Sequence, residues 1–170
     1  MKKKNKAIYL LFLMPFVYFA TACFVVWLVK TSGIYPSGSD TMYHVYRGDY
    51  VYNAIKSGNL YPLYDPAWYN GVEIMRYWAP LTAYYMALCQ MIAGGGQLAG
   101  YLIFVGSVCF FNSILWLIIG RKMNRPYLGA FVGLIWFFMP NNLLALFVEG
   151  NLARSLCMIF LPVFIYAVCE

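Results

Sequence analysis

Asp40, His44 and Arg47 lie at positions i, i+4 and i+7, so on a helix they share one stripe roughly 60° wide. The chemistry such a stripe offers is specific. A carboxylate at a membrane surface acts as a general base towards an acceptor hydroxyl once partial desolvation raises its pKa. An imidazole one turn away can be oriented by that carboxylate, or be one ligand of a metal site, and a guanidinium fork grips phosphate. Arg76 is a second candidate for the phosphate or pyrophosphate contact, paired with Arg47. Each residue also has a plainer reading. Asp40 follows Gly38-Ser39 as a helix N-cap, His44 is an interfacial hydrogen-bonding group, and the arginines snorkel at the interface. Further along, Glu149 and Arg154 offer a second catalytic carboxylate with a phosphate-binding partner, or else a capping pair in a loop.

Asp40, His44, Arg47 and Arg76 belong to a polar, tyrosine-rich segment from Lys30 to Ala79 that holds four of the six acidic residues. The rest of the chain is of another character. With 170 residues, 63% of them hydrophobic and 11% charged, and a mean hydropathy of +0.65, it lies far from the roughly 25% charged residues of soluble domains. The lipid bilayer is therefore the expected partner. The net charge of +6 does not indicate nucleic acid. Seven of the twelve basic residues sit in two clusters, Lys2, Lys3, Lys4 and Lys6, then Arg121, Lys122 and Arg125, each abutting an apolar run in the positive-inside manner. Five cysteines without a CxxC pair predict neither a disulfide framework nor a cysteine metal site.

The fold class expected is all-α: a polytopic membrane protein of four to five apolar helices. Residues 1–6 form a cytoplasmic basic N-terminus and 7–29 the first span, too long for a signal peptide. Residues 30–79 form an external loop carrying an interfacial helix, and 80–170 a transmembrane region continuing in a longer parent protein. The apolar runs there are Pro80 to Ala93, Leu98 to Gly120, Tyr127 to Val148 and Ala153 to Cys169. If the short Pro80 to Ala93 run lies at the outer interface instead of crossing, all seven clustered basic residues are cytoplasmic, and Glu149 shares the outer side with Asp40. In the outer loop a helix of about 17 residues runs from the Gly38-Ser39-Asp40 cap to the Ser57-Gly58-Asn59 stop, with Tyr43, Tyr46 and Tyr50 on a headgroup-facing stripe. Leu60 to Ala79 reads as an ordered aromatic loop. Asn112, mid-span, predicts an interhelical hydrogen bond, and Gly100, Gly106 and Ser113 predict close helix packing.

The layout, with one span, a long external loop carrying an early acid and a second acid in the next external loop, resembles the GT-C class of membrane glycosyltransferases. A closer resemblance, in Gly38-Ser39-Asp40, His44, Trp68-Tyr69-Asn70-Gly71 and Arg76-Tyr77-Trp78-Ala79-Pro80, is to bacterial membrane proteins catalogued as a 6-pyruvoyl-tetrahydropterin-synthase-related membrane domain, a name that implies no pterin chemistry here. The GT-C resemblance implies a polyprenyl-phosphate-linked sugar donor, transfer on the outer face of the bacterial cytoplasmic membrane, and Asp40 as catalytic carboxylate or metal ligand for Mg²⁺ or Mn²⁺. It implies Glu149 as the second acid, although Asp is commoner there. It also implies that Arg76 and Arg154 face the lipid phosphate, and that His44, Arg47, Tyr69 and Asn70 join the substrate contacts. The alternative is a non-catalytic membrane scaffold or a transporter component. Transport is the weaker of these two, because the spans carry Asn112 as their main polar residue and no buried charge.

Overall fold

The computed structural model describes residues 2–33 and 36–169, with side chains described from Leu10 onward, so the side chains of Lys2, Lys3, Lys4 and Lys6 lie outside the described residues. Each long apolar run becomes a helix, because in hydrocarbon every backbone N–H and C=O must be satisfied within its own segment. Helix α1 spans Lys2–Thr31. It is followed by α2 (Thr41–Lys56), α3 (Pro80–Ile92), α4 (Gln97–Lys122), α5 (Pro126–Ile135), α6 (Pro140–Leu143), α7 (Leu152–Cys157) and α8 (Leu161–Cys169). No strand occurs among the described residues, which hold one isolated bridge, Asp65 with Val72. The protein is an all-α polytopic membrane protein.

Three helical stretches, Leu10–Thr31, Gln97–Lys122 and Leu152–Cys169, are long and apolar enough to cross a bilayer. The fourth expected span, Tyr127 to Val148, is not one straight helix. Pro126–Phe138 and Pro140–Val148 meet at a 45° bend. The cause is Pro140: it pushes Met139 into an extended conformation, at φ −61° and ψ 135°, and the helix stops there. The Asn142 side chain donates to the freed Trp136 carbonyl at 2.6 Å. Beyond the break the chain widens into a π turn over Leu144–Val148, closed by the Glu149 amide on the Leu144 carbonyl at 2.9 Å.

The packing fixes the relative directions of the helices. Residues Leu10, Leu11 and Met14 of α1 join Tyr18, Leu117 of α4 and Ala130 of α5 in one apolar cluster, and Tyr18 donates to the Ala130 carbonyl at 2.9 Å. At the other end of α1, Ala22 and Val25 pack with Tyr101 and Phe104 of α4. Helices α1 and α4 are therefore antiparallel, and α1 and α5 parallel. The N-terminal end of α1 and the turn with Arg121, Lys122 and Arg125 lie at one end of the bundle, while residues 39–40 and 148–149 lie at the other. Glycines permit the close contacts. A methyl on Gly129 would sit 2.6 Å from the Trp116 carbonyl oxygen, and one on Gly100 would sit 2.9 Å from the Gln90 Cα.

At that far end α3, 13 residues long, packs between α2 and α4. Gly48 of α2 abuts Met86 of α3, and Gln90, nearly fully buried, donates to Asp49 at 2.7 Å and to the Gly95 carbonyl at 2.9 Å. Asn112 makes no interhelical hydrogen bond: its buried Oδ1 is unpartnered and lines a cavity of about 10 Å³ with Asn142 and Ser155, roughly the room one water needs.

The antiparallel arrangement predicts the outcome of single-cysteine labelling in a cysteine-free background. Asp40→Cys and Asn151→Cys should react with a membrane-impermeant maleimide from one side of the bilayer, and Met123→Cys from the other. Labelling of positions 123 and 151 from the same side would contradict it.

Candidate functional site

The site begins with a clasp between two loops. Ser39 N–H donates to the Val148 carbonyl at 3.1 Å, Asp40 N–H donates to the Glu149 carbonyl at 3.1 Å, and the Ser39 hydroxyl donates to the same Glu149 oxygen at 2.7 Å. Two segments more than a hundred positions apart in sequence are thus joined backbone to backbone. Two glycines make the approach possible. Gly38 and Gly150 have φ of +106° and +71°, in the left-handed region that glycine adopts freely. A methyl on Gly150 would lie 2.5 Å from the Thr41 amide nitrogen, and one on Gly38 would lie 2.6 Å from the Gly150 Cα.

The clasp sets Asp40 and Glu149 on adjoining strands of backbone. Asp40 occupies the N-cap of α2, but the expected capping bond is absent, and its exposed carboxylate has no hydrogen-bond partner among the described residues. Thr41 accounts for part of the difference, because its hydroxyl bonds to the Ser37 carbonyl and fastens the turn without help from Asp40. Glu149 is paired with Arg154 at 3.1 Å, and Arg154 also donates to Asn141 Oδ1 at 2.8 Å. Asn151 caps α7 by accepting from the Arg154 amide at 3.0 Å, which fixes the backbone that carries the guanidinium. One carboxylate is therefore free and the other is half-exposed against a cation, at the same end of the bundle.

His44 and Arg47 are buried instead of lining an open stripe. The Arg47 guanidinium lies 5.2 Å from the Tyr43 ring centroid and 5.6 Å from that of Trp78, and it donates to the Ile74 carbonyl at 2.6 Å. His44 makes edge contacts with Tyr43 and Trp78 and has no side-chain hydrogen bond among the described residues, so the Asp40 carboxylate does not orient it through one. Burial, and then the charge of Arg47, push the His44 pKa down to about 4 against the opposing pull of Asp40. The imidazole is neutral at pH 7.

The aromatic loop closes over this face of α2. Trp68 contacts Tyr43 at 4.9 Å and Tyr46 at 4.8 Å between ring centroids. Tyr46 donates to the buried Asp65 carboxylate, and that bond first, then burial, pushes its pKa up to about 12. Tyr50 donates to the Tyr64 carbonyl at 2.5 Å. The tyrosine stripe read from the sequence as facing headgroups thus binds the loop. Tyr69 and Asn70, at φ +46° and +63°, form the turn of the Asp65–Val72 bridge, and Tyr69 is 87% exposed. Arg76 stands outside, paired with Glu73 at 2.5 Å, its side chain 65% exposed. Arg47 and Arg76 are each already engaged, one below the loop and one above it, and do not converge as a pair.

Sequence reasoning missed the clasp itself. Its signal was the matching pair Gly38-Ser39-Asp40 and Glu149-Gly150-Asn151, a glycine within two residues of an acid in both loops. Asn141 and Asp65 were likewise not singled out as partners: Asp65-Pro66 reads as a turn, and Asn141 falls inside the apolar run Tyr127 to Val148. Among the described residues no three His, Cys, Asp or Glu side chains gather to hold a metal. Mg²⁺ is usually held by one or two carboxylates together with substrate phosphates, so Asp40 could serve Mg²⁺ or Mn²⁺ only as one ligand beside a bound phosphate, and no step is assigned to either ion.

The fold and this polar end define a polytopic helical membrane protein whose polar segment after the first helix is stitched to the end of a later bent helix pair. Residues 75–170 match the family described as the 6-pyruvoyl-tetrahydropterin synthase related domain, a membrane protein family, and the chain belongs to it. The match includes Arg76, Glu149 and Arg154, while Asp40 precedes it. No curated protein and no solved structure matches the chain.

Two predictions follow from this geometry. Gly150→Ala forces a methyl into the Thr41 backbone at a left-handed φ, and should lower stability by roughly 1–3 kcal/mol, read as a lower Tm in detergent. Gly58→Ala, where a left-handed glycine faces open space, should cost less. For His44, the unfolded chain binds its proton near pH 6.5 and the folded chain near 4, so stability falls as pH falls through that window. His44→Phe should remove this component. The Tm difference between wild type and variant should therefore shift against wild type between pH 6.5 and 4, by the equivalent of up to about 3 kcal/mol.

Proposed function

We propose that the chain is a membrane glycosyltransferase, or the N-terminal part of one, that moves a sugar from a polyprenyl-phosphate donor to an envelope acceptor at the outer face of the bacterial cytoplasmic membrane. The observation that carries the reading is the clasp, which sets a free carboxylate beside a carboxylate–guanidinium pair at the bundle end opposite the basic turn. With positive charge retained inside, the N-terminus is cytoplasmic and the clasp faces outward.

The acceptor hydroxyl oxygen attacks the anomeric carbon of the donor sugar. A new glycosidic C–O bond forms, the bond from the anomeric carbon to the phosphate oxygen breaks, and polyprenyl phosphate leaves with the electron pair. Asp40 takes the hydroxyl proton as general base. Arg154, held by Glu149 and Asn141, stabilises the charge that develops on the leaving phosphate. Exposed Arg76, and Tyr69 and Asn70 on the turn of the Asp65–Val72 bridge, are the further substrate contacts of this reading.

A transporter component is the second reading, favoured by the break at Met139–Pro140, since discontinuous spans with unwound backbone form substrate sites in transporters.

Asp40→Asn separates the two readings. In the full-length protein reconstituted with a radiolabelled polyprenyl-phosphate sugar, it should leave insertion and Tm unchanged and lower sugar transfer by about 10²–10⁴-fold. Transfer at the wild-type rate would remove Asp40 from the mechanism. Solute uptake by wild-type proteoliposomes without any sugar transfer would support the transporter.

A further inference from the structure

Along the bundle, α1 and α4 enclose an open groove of about 560 Å³, within the range of ligand-sized sites. Its walls are largely apolar, with Phe19, Val26, Trp27 and Phe110 among them, and its floor is lowered at Gly106, where a side chain would meet Val26 at 2.9 Å. One lining residue is charged. Lys30, in the last turn of α1, is exposed and has no ion pair among the described residues.

The position of Lys30 ties the groove to the clasp. Val29, its neighbour, packs against the same apolar cluster as Val45, five residues after Asp40, and Leu152, three residues after Glu149. A cation at this end of an apolar trough complements a molecule with one long hydrocarbon chain and one anionic head. A single trough between two helices suits one chain, whereas a glycerophospholipid carries two.

We propose that this groove seats the hydrocarbon tail of a polyprenyl phosphate, with the Lys30 ammonium against its phosphate, so that the head is presented at the Asp40 end. The inference rests on the reading of the chain as a user of polyprenyl-phosphate sugars. Lys30 then acts as a point charge on the phosphate, a second cation beside Arg154.

The test is photo-crosslinking of the full-length protein in phosphatidylethanolamine nanodiscs with a polyprenyl phosphate bearing a diazirine in its tail. Label is expected in peptides covering residues 19–27 and 102–111. Cys23→Trp, which fills the groove from an exposed wall position, should lower the yield severalfold, and Lys30→Gln should weaken binding about tenfold. Phe16→Trp, 74% exposed on α1 outside the groove, should change neither. Wild-type labelling of Cys23→Trp, or displacement of the probe by phosphatidylglycerol as effective as by unlabelled polyprenyl phosphate, overturns the proposal. If sugar transfer persists while the groove stays unlabelled, the groove assignment falls and the transferase reading stands. Groove labelling that responds to both variants without any sugar transfer upholds the lipid seat and overturns the transferase reading.

Discussion

The clasp between residues 38–40 and 148–150 is the constraint on which the polar end of this protein depends. Backbone N–H groups beside a buried apolar cluster must find partners, and here they find them in a loop that returns after five further helices, α2 to α6. The two glycines matter because the approach is one of backbone to backbone, with no room for a Cβ on either side. Once made, the clasp fixes the start of α2 and the end of the π turn together. The direction in which α2 leaves the bundle, and with it the placement of every residue from Thr41 to Lys56, follows from that anchor.

Helix α2 then works as a spine with a different task on each face. Gly48 and Asp49 dock it onto α3, through Met86 and Gln90. Tyr43, Tyr46 and Tyr50 hold the aromatic loop. His44 and Arg47 lie beneath Tyr43 and Trp78, with the guanidinium partly compensated by the Ile74 carbonyl and two ring faces instead of a carboxylate. An arginine buried without an acid is costly. Its cost is lowered here by neighbours that accept hydrogen bonds or present π density, and by a histidine that burial keeps neutral. The arrangement gives a rigid platform next to the clasp and leaves Asp40 as the polar group of this helix end that structure does not consume.

Much of the fold was legible because its signals are local. Hydropathy marked the apolar runs, Ser57-Gly58-Asn59 marked the end of α2, where the Gly58 and Asn59 amides return to Ile55 and Ala54, and the two basic clusters indicated which helix ends share a side. The break at Met139 was also written locally, in Met139-Pro140, but a 22-residue apolar run outweighed one proline in the reading of Tyr127 to Val148. The site was legible only in part, since its decisive facts are non-local. That Asp40 would be relieved of capping by Thr41, that Tyr46 would turn to Asp65, and that Asn112 would face a water-sized cavity all depend on which loop arrives opposite. Residue spacing correctly grouped Asp40, His44 and Arg47 on one helix, yet it could not tell an exposed stripe from one roofed by Trp68 and Trp78.

The two acids of the clasp are not equivalent, and their surroundings divide the work of the proposed reaction between them. Glu149 already faces the Arg154 guanidinium at 3.1 Å, so one of its oxygens is engaged by a cation before any substrate arrives. A residue so placed is better suited to positioning, holding Arg154 together with Asn141 where charge on a leaving phosphate would develop. Asp40 has no cation against it and no structural hydrogen bond to surrender, so an incoming hydroxyl is the first donor its carboxylate would meet. The asymmetry follows from one local choice of sequence, a threonine after Asp40 that supplies the turn bond and an arginine five residues after Glu149 that supplies the charge.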